Sequence, residues 1–295
     1  MQSELGLRID VCTCEGLRGG VPTLLDLLRS MGIQATFFVA MGPDRSGWAI
    51  LRVVRRPGFL AKMTRTDAIR LYGIRTMLSG TLLPPPLIGS GAPEILKRVR
   101  DEGHELGVHG WDHVLWHDSL HRISRDRVRR EVRRAFRRYR AILGAPPPCS
   151  ASPAWMASAD SMEVQDELDL RFASDTRGRY PFLPIVRGRE LKTPQVPVTL
   201  PTLDEALGRQ GCTADRYVRD IARRLGGTQV LTMHAEAEGR AHRETARVLL
   251  ETCLERCSVR PLGKLTALRT ELPRCPIRAG AIPGRAGRVS IQSIG

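Results

Sequence analysis

Lysine is almost missing from this 295-residue chain: only four of its 46 cationic residues are lysine, and the rest are arginine. Against 31 acidic residues this leaves a formal charge of +15. Such a balance first suggests a nucleic acid or an anionic membrane face, because clustered cations gain affinity by releasing counterions from phosphates. Aromatic residues are also scarce, at 5%. They build no stacking surface along the basic runs, and no named nucleic-acid motif is present, so no nucleic-acid partner is expected. No stretch approaches the roughly 18 apolar residues needed to span a bilayer. The first residues, Met1-Gln-Ser-Glu-Leu-Gly6, lack the basic and apolar regions of a signal peptide. The seven cysteines, Cys12, Cys14, Cys149, Cys212, Cys253, Cys257 and Cys275, are odd in number and irregularly spaced. That argues against a disulfide framework and makes a reducing, cytoplasmic location the default expectation.

What is present is a globular composition, 42% hydrophobic, enough for one domain with a substantial core. Ten arginines fall between Arg122 and Arg140. Ile123, Val128, Val132, Ala135, Tyr139 and Ile142 recur there at helical spacing and leave the guanidiniums on the outer face. The segment reads as a solvated helix capped by Ser124; a phosphate- or lipid-binding face is the other reading. A main domain is expected over residues 1–265. It is interrupted at about 43–91 by a basic, apolar insertion containing Phe59, Leu60, Met63, Ile69 and Tyr72, which suits either a lid or the interfacial zone of a membrane. From residue 266 to 295 arginine, glycine and proline dominate without periodicity, which predicts a loosely structured tail.

Leu5 to Val11 reads as a strand whose period-two alternation places Asp10 and Cys12 on one face. Gly19-Gly-Val-Pro-Thr23 opens a helix that Gly32 closes before the strand Ala35–Val39. This β-α-β beginning predicts a parallel sheet with helical crossovers, whose functional groups gather at the carboxyl ends of strands. Further strands are expected at His104–His109, Cys149–Trp155, Arg171–Ser174, Gln229–Met233 and Ser258–Leu262. His109 and His113 lie four apart. If the backbone turns helical just after Leu106–Val108, both imidazoles face one metal ion, which points to hydrolysis; the same spacing also fits a surface turn with two unrelated histidines.

Five segments, Arg8-Ile-Asp-Val11, Gly107-Val-His-Gly-Trp-Asp-His113, Ser174-Asp-Thr-Arg-Gly178, Pro197-Val-Thr-Leu-Pro201 and His234-Ala-Glu-Ala-Glu-Gly239, occur in the order expected of the NodB-type polysaccharide deacetylase family. The chain resembles that family from about Leu5 to Leu265. The resemblance implies an α/β fold, a distorted (β/α) barrel, with a divalent metal held by two histidines and a carboxylate. Within the family the segments are most similar to a branch that removes the N-formyl group from undecaprenyl-phosphate-linked 4-deoxy-4-formamido-L-arabinose. That implies a lipid-linked aminosugar substrate met at the cytoplasmic face of the bacterial inner membrane by a peripheral enzyme. It also implies a role in lipid A modification and in resistance to cationic peptides such as polymyxin. A deacetylase of another N-acylated sugar, and a catalytically degenerate barrel that binds anionic lipid, are the other expectations.

On the family pattern His109 and His113 are metal ligands, Asp10 is the general base, and His234 is the acid that protonates the departing nitrogen. Asp175 is expected to fix the tautomer of His234 and raise its pKa. Arg177 is assigned to the phosphate linkage, since guanidinium forks suit phosphate oxygens. Glu236 and Glu238 are assigned to sugar hydroxyls or the newborn ammonium, with a rim salt bridge as the alternative. The chain departs from the pattern twice. Cys12 replaces the metal-binding carboxylate, which favours zinc if Cys12 is a ligand, and otherwise leaves ligation to Asp10 or the site inactive. Met156 stands after Trp155 where the family has an arginine that orients the base, leaving Arg171, Arg177 and Arg179 as candidate substitutes.

Overall fold

Strand β1 (Glu4–Val11) carries an almost uninterrupted buried run, the pattern of a strand covered on both faces. In the computed structural model, which describes residues 3–48, 79–267, 271–285 and 287–294, β1 pairs with three other strands in a sheet of seven parallel strands. The rest of the sheet is β2 (Thr36–Val39), β3 (Glu105–Val108), β4 (Cys149–Ser150), β5 (Phe172–Ala173), β8 (Thr228–His234) and β9 (Ser258–Arg260), in the order β5-β4-β3-β2-β1-β8 with β9 also on β1. One edge of β1 pairs with β8 from Glu4↔Thr228 to Asp10↔His234. Its other contacts are β9 over Glu4–Gly6 and β2 over Arg8–Val11. The result is a parallel half-barrel, the distorted (β/α) barrel expected from the sequence.

Because every strand runs the same way, the residues leaving β1, β3, β4, β5 and β8 emerge at one end of the sheet. The crossovers are helical: α1 (Val21–Ser30), α2 (Pro93–Asp101), α3 (His113–Ser119), α4 (Arg125–Leu143), α5 (Ala159–Asp166), α6 (Ala214–Arg224) and α7 (Arg243–Leu254). In α1 a proline in the first turn and buried Leu24, Leu25 and Leu28 explain the helix and its docked face. The arginine-rich α4 is capped by the Ser124 hydroxyl and ends at Gly144 with φ +80°. It buries Val128, Val132, Ala135 and Tyr139, while Arg125 and Arg129 pair with Glu167 on neighbouring α5's end. This is the solvated-helix reading.

The expected loose tail is corrected by the structure. Within 266–295, β10 (Arg274–Gly280) and β11 (Val289–Gln292) form a second, four-stranded sheet with β6 (Leu183–Val186) and β7 (Arg189–Glu190), in the order β11-β10-β6-β7. Ser290 ties it to the main body, its hydroxyl accepting from Ala157 N at 3.0 Å and its carbonyl from Arg177 N at 2.9 Å. Residues 49–78, most of the insertion expected at 43–91, lie outside the described residues. Among the described residues no helix is long and apolar enough to cross a membrane.

Candidate metal centre

The alternation of β1 places Arg8 and Asp10 on one face, with Cys12 just past the strand end. Arg8 is fully buried, an expensive position for a guanidinium unless every donor is used. Its Nε and Nη2 each donate to an Asp10 carboxylate oxygen at 2.7 Å. Its Nη1 donates to the carbonyl and hydroxyl of Ser174 at 2.5 and 3.0 Å. The guanidinium also lies between the rings of Phe38 and Trp155, 5.1 and 5.4 Å from their centroids. Burial pushes the Asp10 carboxyl up, but the Arg8 guanidinium, through its charge and its hydrogen bonds, outweighs it and holds the group below the ordinary carboxylate range. Asp10 is therefore ionised. The arginine that fixes Asp10 is Arg8, two residues earlier on the same strand. Arg171 instead pairs with Glu105, Arg177 is committed elsewhere, and Arg179 contributes its backbone N–H to Gln292.

His109 leaves the end of β3 buried. Its Nδ1 donates to the Ala151 carbonyl at 3.0 Å, and since a carbonyl only accepts, this fixes the proton on Nδ1 and leaves Nε2 as a free lone pair. Nε2 is 3.7 Å from Asp10 Oδ2. Burial pulls the imidazole pKa down to about 4, so the ring is neutral, as a ligand must be. Between the two histidines the chain does not form the helical turn expected from their spacing. Gly110 at φ +78° turns the strand, a conformation cheap only for glycine, and His113 is the first residue of α3, capped by Asp112. Arg45 pairs with Asp112 at 2.6 Å and holds that cap. The ligand atoms of Cys12, His109 and His113 all lie within 4.8 Å of one another, the set expected from the sequence.

Cys12 is placed by Glu236. One oxygen of this buried carboxylate accepts from Cys12 N and Thr13 N, both at 2.8 Å, and from the Thr13 hydroxyl at 3.0 Å. The turn after it, Gly16–Gly20, is seated directly on the loop after β8: a Cβ on Gly20 would stand 2.0 Å from the Ala235 carbonyl oxygen, and one on Gly239 would stand 2.5 Å from the Gly20 oxygen. Burial of the sulfur, then the charges of Glu236 and Asp10, push the Cys12 thiol well above its ordinary range against the pull of Arg8 and Arg285. An ion binding there displaces a thiol proton. The donor set fits a divalent ion: two imidazoles, one with its tautomer set by a backbone carbonyl, and a thiol whose backbone is clamped.

The remaining assignments change. His234 ends β8, partly exposed, with its backbone N–H donating to Glu238 Oε2 at 2.9 Å. Its Nδ1 is 3.9 Å from Asp204 Oδ1. Asp175, expected to hold it, is instead buried among Ser152 N at 2.7 Å, Gln195 Nε2 at 2.9 Å and Gln165 Nε2 at 3.4 Å; burial raises its pKa against those hydrogen bonds. Asp175 fixes the Ser150–Ser152 strand end rather than His234. Glu236 and Glu238, expected on substrate, are backbone clamps. Burial lifts Glu238 to about 7, and its Oε1 is buried with no hydrogen-bond partner among the described residues.

Arg177, expected on phosphate, is spent in the core. Its Nη1 donates to both oxygens of Glu205 at 3.0 and 3.1 Å, its Nη2 to the Leu200 carbonyl at 2.9 Å, and its guanidinium lies 4.8 Å from the Trp155 ring. Asp204 and Glu205 share a single helical turn, Leu203–Ala206, closed by a capping box with Thr202. The turn therefore serves His234 with one side chain and Arg177 with the next. Its signal, Thr202-x-x-Glu205, is visible in the sequence directly after Pro197–Pro201.

The polysaccharide deacetylase family model matches residues 4–173. A protein of Shewanella sediminis (strain HAW-EB3) named as a 4-deoxy-4-formamido-L-arabinose-phosphoundecaprenol deformylase, ArnD, is 38% identical over 239 residues, 80% of this chain and 77% of that one. A protein of Wigglesworthia glossinidia brevipalpis with the same name is 30% identical over 284 residues, 94% of this chain and 98% of that one. Among solved structures, a polysaccharide deacetylase fold from Mycobacterium smegmatis superposes with a TM-score of 0.60 at 16% identity, covering 92% of this chain and 93% of the other.

Proposed function

The chain belongs to the polysaccharide deacetylase family, and we propose that it hydrolyses the N-formyl group of undecaprenyl-phosphate-linked 4-deoxy-4-formamido-L-arabinose, releasing formate. The observation that carries this reading is the convergence of Cys12, His109 and His113 beside an Asp10 kept ionised by Arg8. The relatives bearing the deformylase name span most of the chain. Cys12, His109 and His113 hold one divalent ion, zinc by preference because a thiolate is a poor ligand for harder ions. When bound, the ion supplies Lewis acidity to the formyl carbonyl and to water.

Asp10 accepts the proton of the attacking water at the carboxylate that Arg8 holds in place. His234, with Nδ1 toward Asp204, presents Nε2 to the substrate and gives a proton to the departing nitrogen. The C–N bond breaks, and formate and the free 4-amine leave. This step belongs to lipid A modification and lowers outer-surface negative charge, the basis of resistance to cationic peptides. The lipid-linked substrate places the enzyme peripherally at the cytoplasmic face of the inner membrane, and a surface rich in arginine suits an anionic leaflet.

The test is formate release from the formylated lipid by the native chain and by Cys12→Asp, each reconstituted with zinc, manganese or cobalt. Native activity that prefers zinc, with preference broadened by the aspartate, is the expected result. A native chain that takes up no stoichiometric divalent ion and releases no formate under any of these conditions refutes the reading.

A further inference from the structure

We propose that Arg285, from the C-terminal segment, is the anion-binding residue of this site and takes the phosphate that joins the sugar to its lipid; this rests on the deformylase reading above. The segment is built to place it. Gly284, at φ +87°, lies so close to the Leu203–Ala206 turn that a Cβ would stand 2.2 Å from the Glu205 carbonyl oxygen. Only glycine tolerates both the conformation and the approach. Arg285 N donates to Ile282 O at 3.3 Å, closing the turn.

The side chain that follows has its guanidinium 4.2 Å from the Trp155 ring centroid, and Nη1 donates to Glu205 Oε1 at 3.1 Å. Glu205 is already engaged by Arg177 through both oxygens and by Thr202 N. Two guanidiniums thus share one carboxylate, and the cluster carries a surplus positive charge in a largely desolvated place, which favours a bound anion. Arg177 is buried, with Nη1 given to Glu205 and Nη2 to the Leu200 carbonyl. Arg285 can meet an anion: among the described residues its Nε and Nη2 have no partner, neither is a sealed-off buried atom, and the side chain is 14% exposed.

The spacing suits the substrate. An anomeric phosphate and a formamide on carbon 4 sit across the sugar ring from each other, so the cation that meets the phosphate must stand about one ring away from the hydrolytic groups. The Trp155 indole sets that separation, since it touches Arg285 and also Arg8, the partner of Asp10.

The experiment compares native, Arg285→Gln and Arg285→Lys holoenzymes on two substrates: a short-chain polyprenyl-phosphate-linked formamido sugar, and the methyl glycoside of the same sugar, which has no phosphate. Arg285→Gln is expected to lower kcat/KM about 10- to 100-fold on the phosphate-bearing substrate, mainly through KM, as for loss of a charged hydrogen bond. The methyl glycoside should lose clearly less than the phosphate-bearing substrate, and lysine should restore part of the loss. Equal losses on both substrates, or no loss on either, overturn the proposal. Titration with inorganic phosphate, followed by intrinsic tryptophan fluorescence, separates the proposal from the deformylase reading. If the native chain hydrolyses neither substrate, phosphate binding that Arg285→Gln abolishes still supports the anion site. Phosphate binding equal in both chains, or absent from both, overturns it.

Discussion

Replacing Arg8 with methionine keeps an unbranched apolar stem between Phe38 and Trp155 but deletes the group that makes two 2.7 Å bonds to Asp10 and two more to Ser174. The Asp10 carboxylate is then buried without its counter-charge. Breaking a buried pair by removing one partner costs about 3–5 kcal/mol, which for a domain of this size lowers the Tm by roughly 10 °C. Asp10→Asn in the same background removes the stranded charge, so the double variant should be less destabilised than the sum of the singles, with a coupling of about 2 kcal/mol. Urea denaturation of the four proteins at pH 7 measures this. Formate release should fall about 100-fold or more in Arg8→Met, because the base loses its fixed orientation. A single variant within about 1 kcal/mol of the native chain, or strict additivity in the double, would falsify the idea that Arg8 is the counter-charge of Asp10.

Glu238→Gln tests the buried clamp behind His234. A carboxyl raised from 4.5 to about 7 by burial keeps in the folded state a proton that the unfolded chain has released. Native stability therefore declines as pH rises from about 4.5 to 7 and is level above, by roughly 3–4 kcal/mol in all and by about 2.5 kcal/mol between pH 5 and pH 8. Metal-free Glu238→Gln, measured by denaturation at pH 5 and pH 8, should gain that amount relative to native at the higher pH; a pH-independent difference would count against the buried carboxyl. Deleting residues 271–295 removes β10, β11 and the Ser290 ties to Ala157 and Arg177. The truncated chain should melt at least about 5 °C lower, and an unchanged melting temperature would mean that the second sheet adds nothing to the main body.

The parallel sheet was legible because β1, β2, β3 and β8 are short apolar runs separated by amphipathic helices. Their order was not, since register between Glu4 and Thr228 leaves no local trace. His109 and His113 were paired by their spacing and Cys12 was added from the family pattern, and the fold brings the three ligand atoms within 4.8 Å of one another. Arg8 was missed although it shares the alternation that paired Asp10 with Cys12; a buried arginine runs against composition-based expectation. Asp175 and Arg177 were assigned to His234 and to phosphate from their motif, yet both are consumed by core hydrogen bonds that only the tertiary structure reveals. Asp204 stood in a readable capping box, but its approach to His234 depends on the fold. The C-terminal strands escaped because Arg274–Gly280 exposes most of its residues and so has no hydrophobic period to detect.

The long pairing of β1 with β8 also bears on how the chain is made. The strand that pairs with three others is made before all of them, while the neighbour along nearly its full length begins at Thr228. During translation that edge waits for most of the polypeptide to emerge, presenting open backbone donors and acceptors of the kind that seed aggregation. Folding is thereby tied to late, sequence-distant contacts and is expected to be slow for the chain's size. A nascent chain stalled before residue 228 carries Cys12, His109 and His113 on a sheet that is missing one side, which makes it a natural client for chaperones.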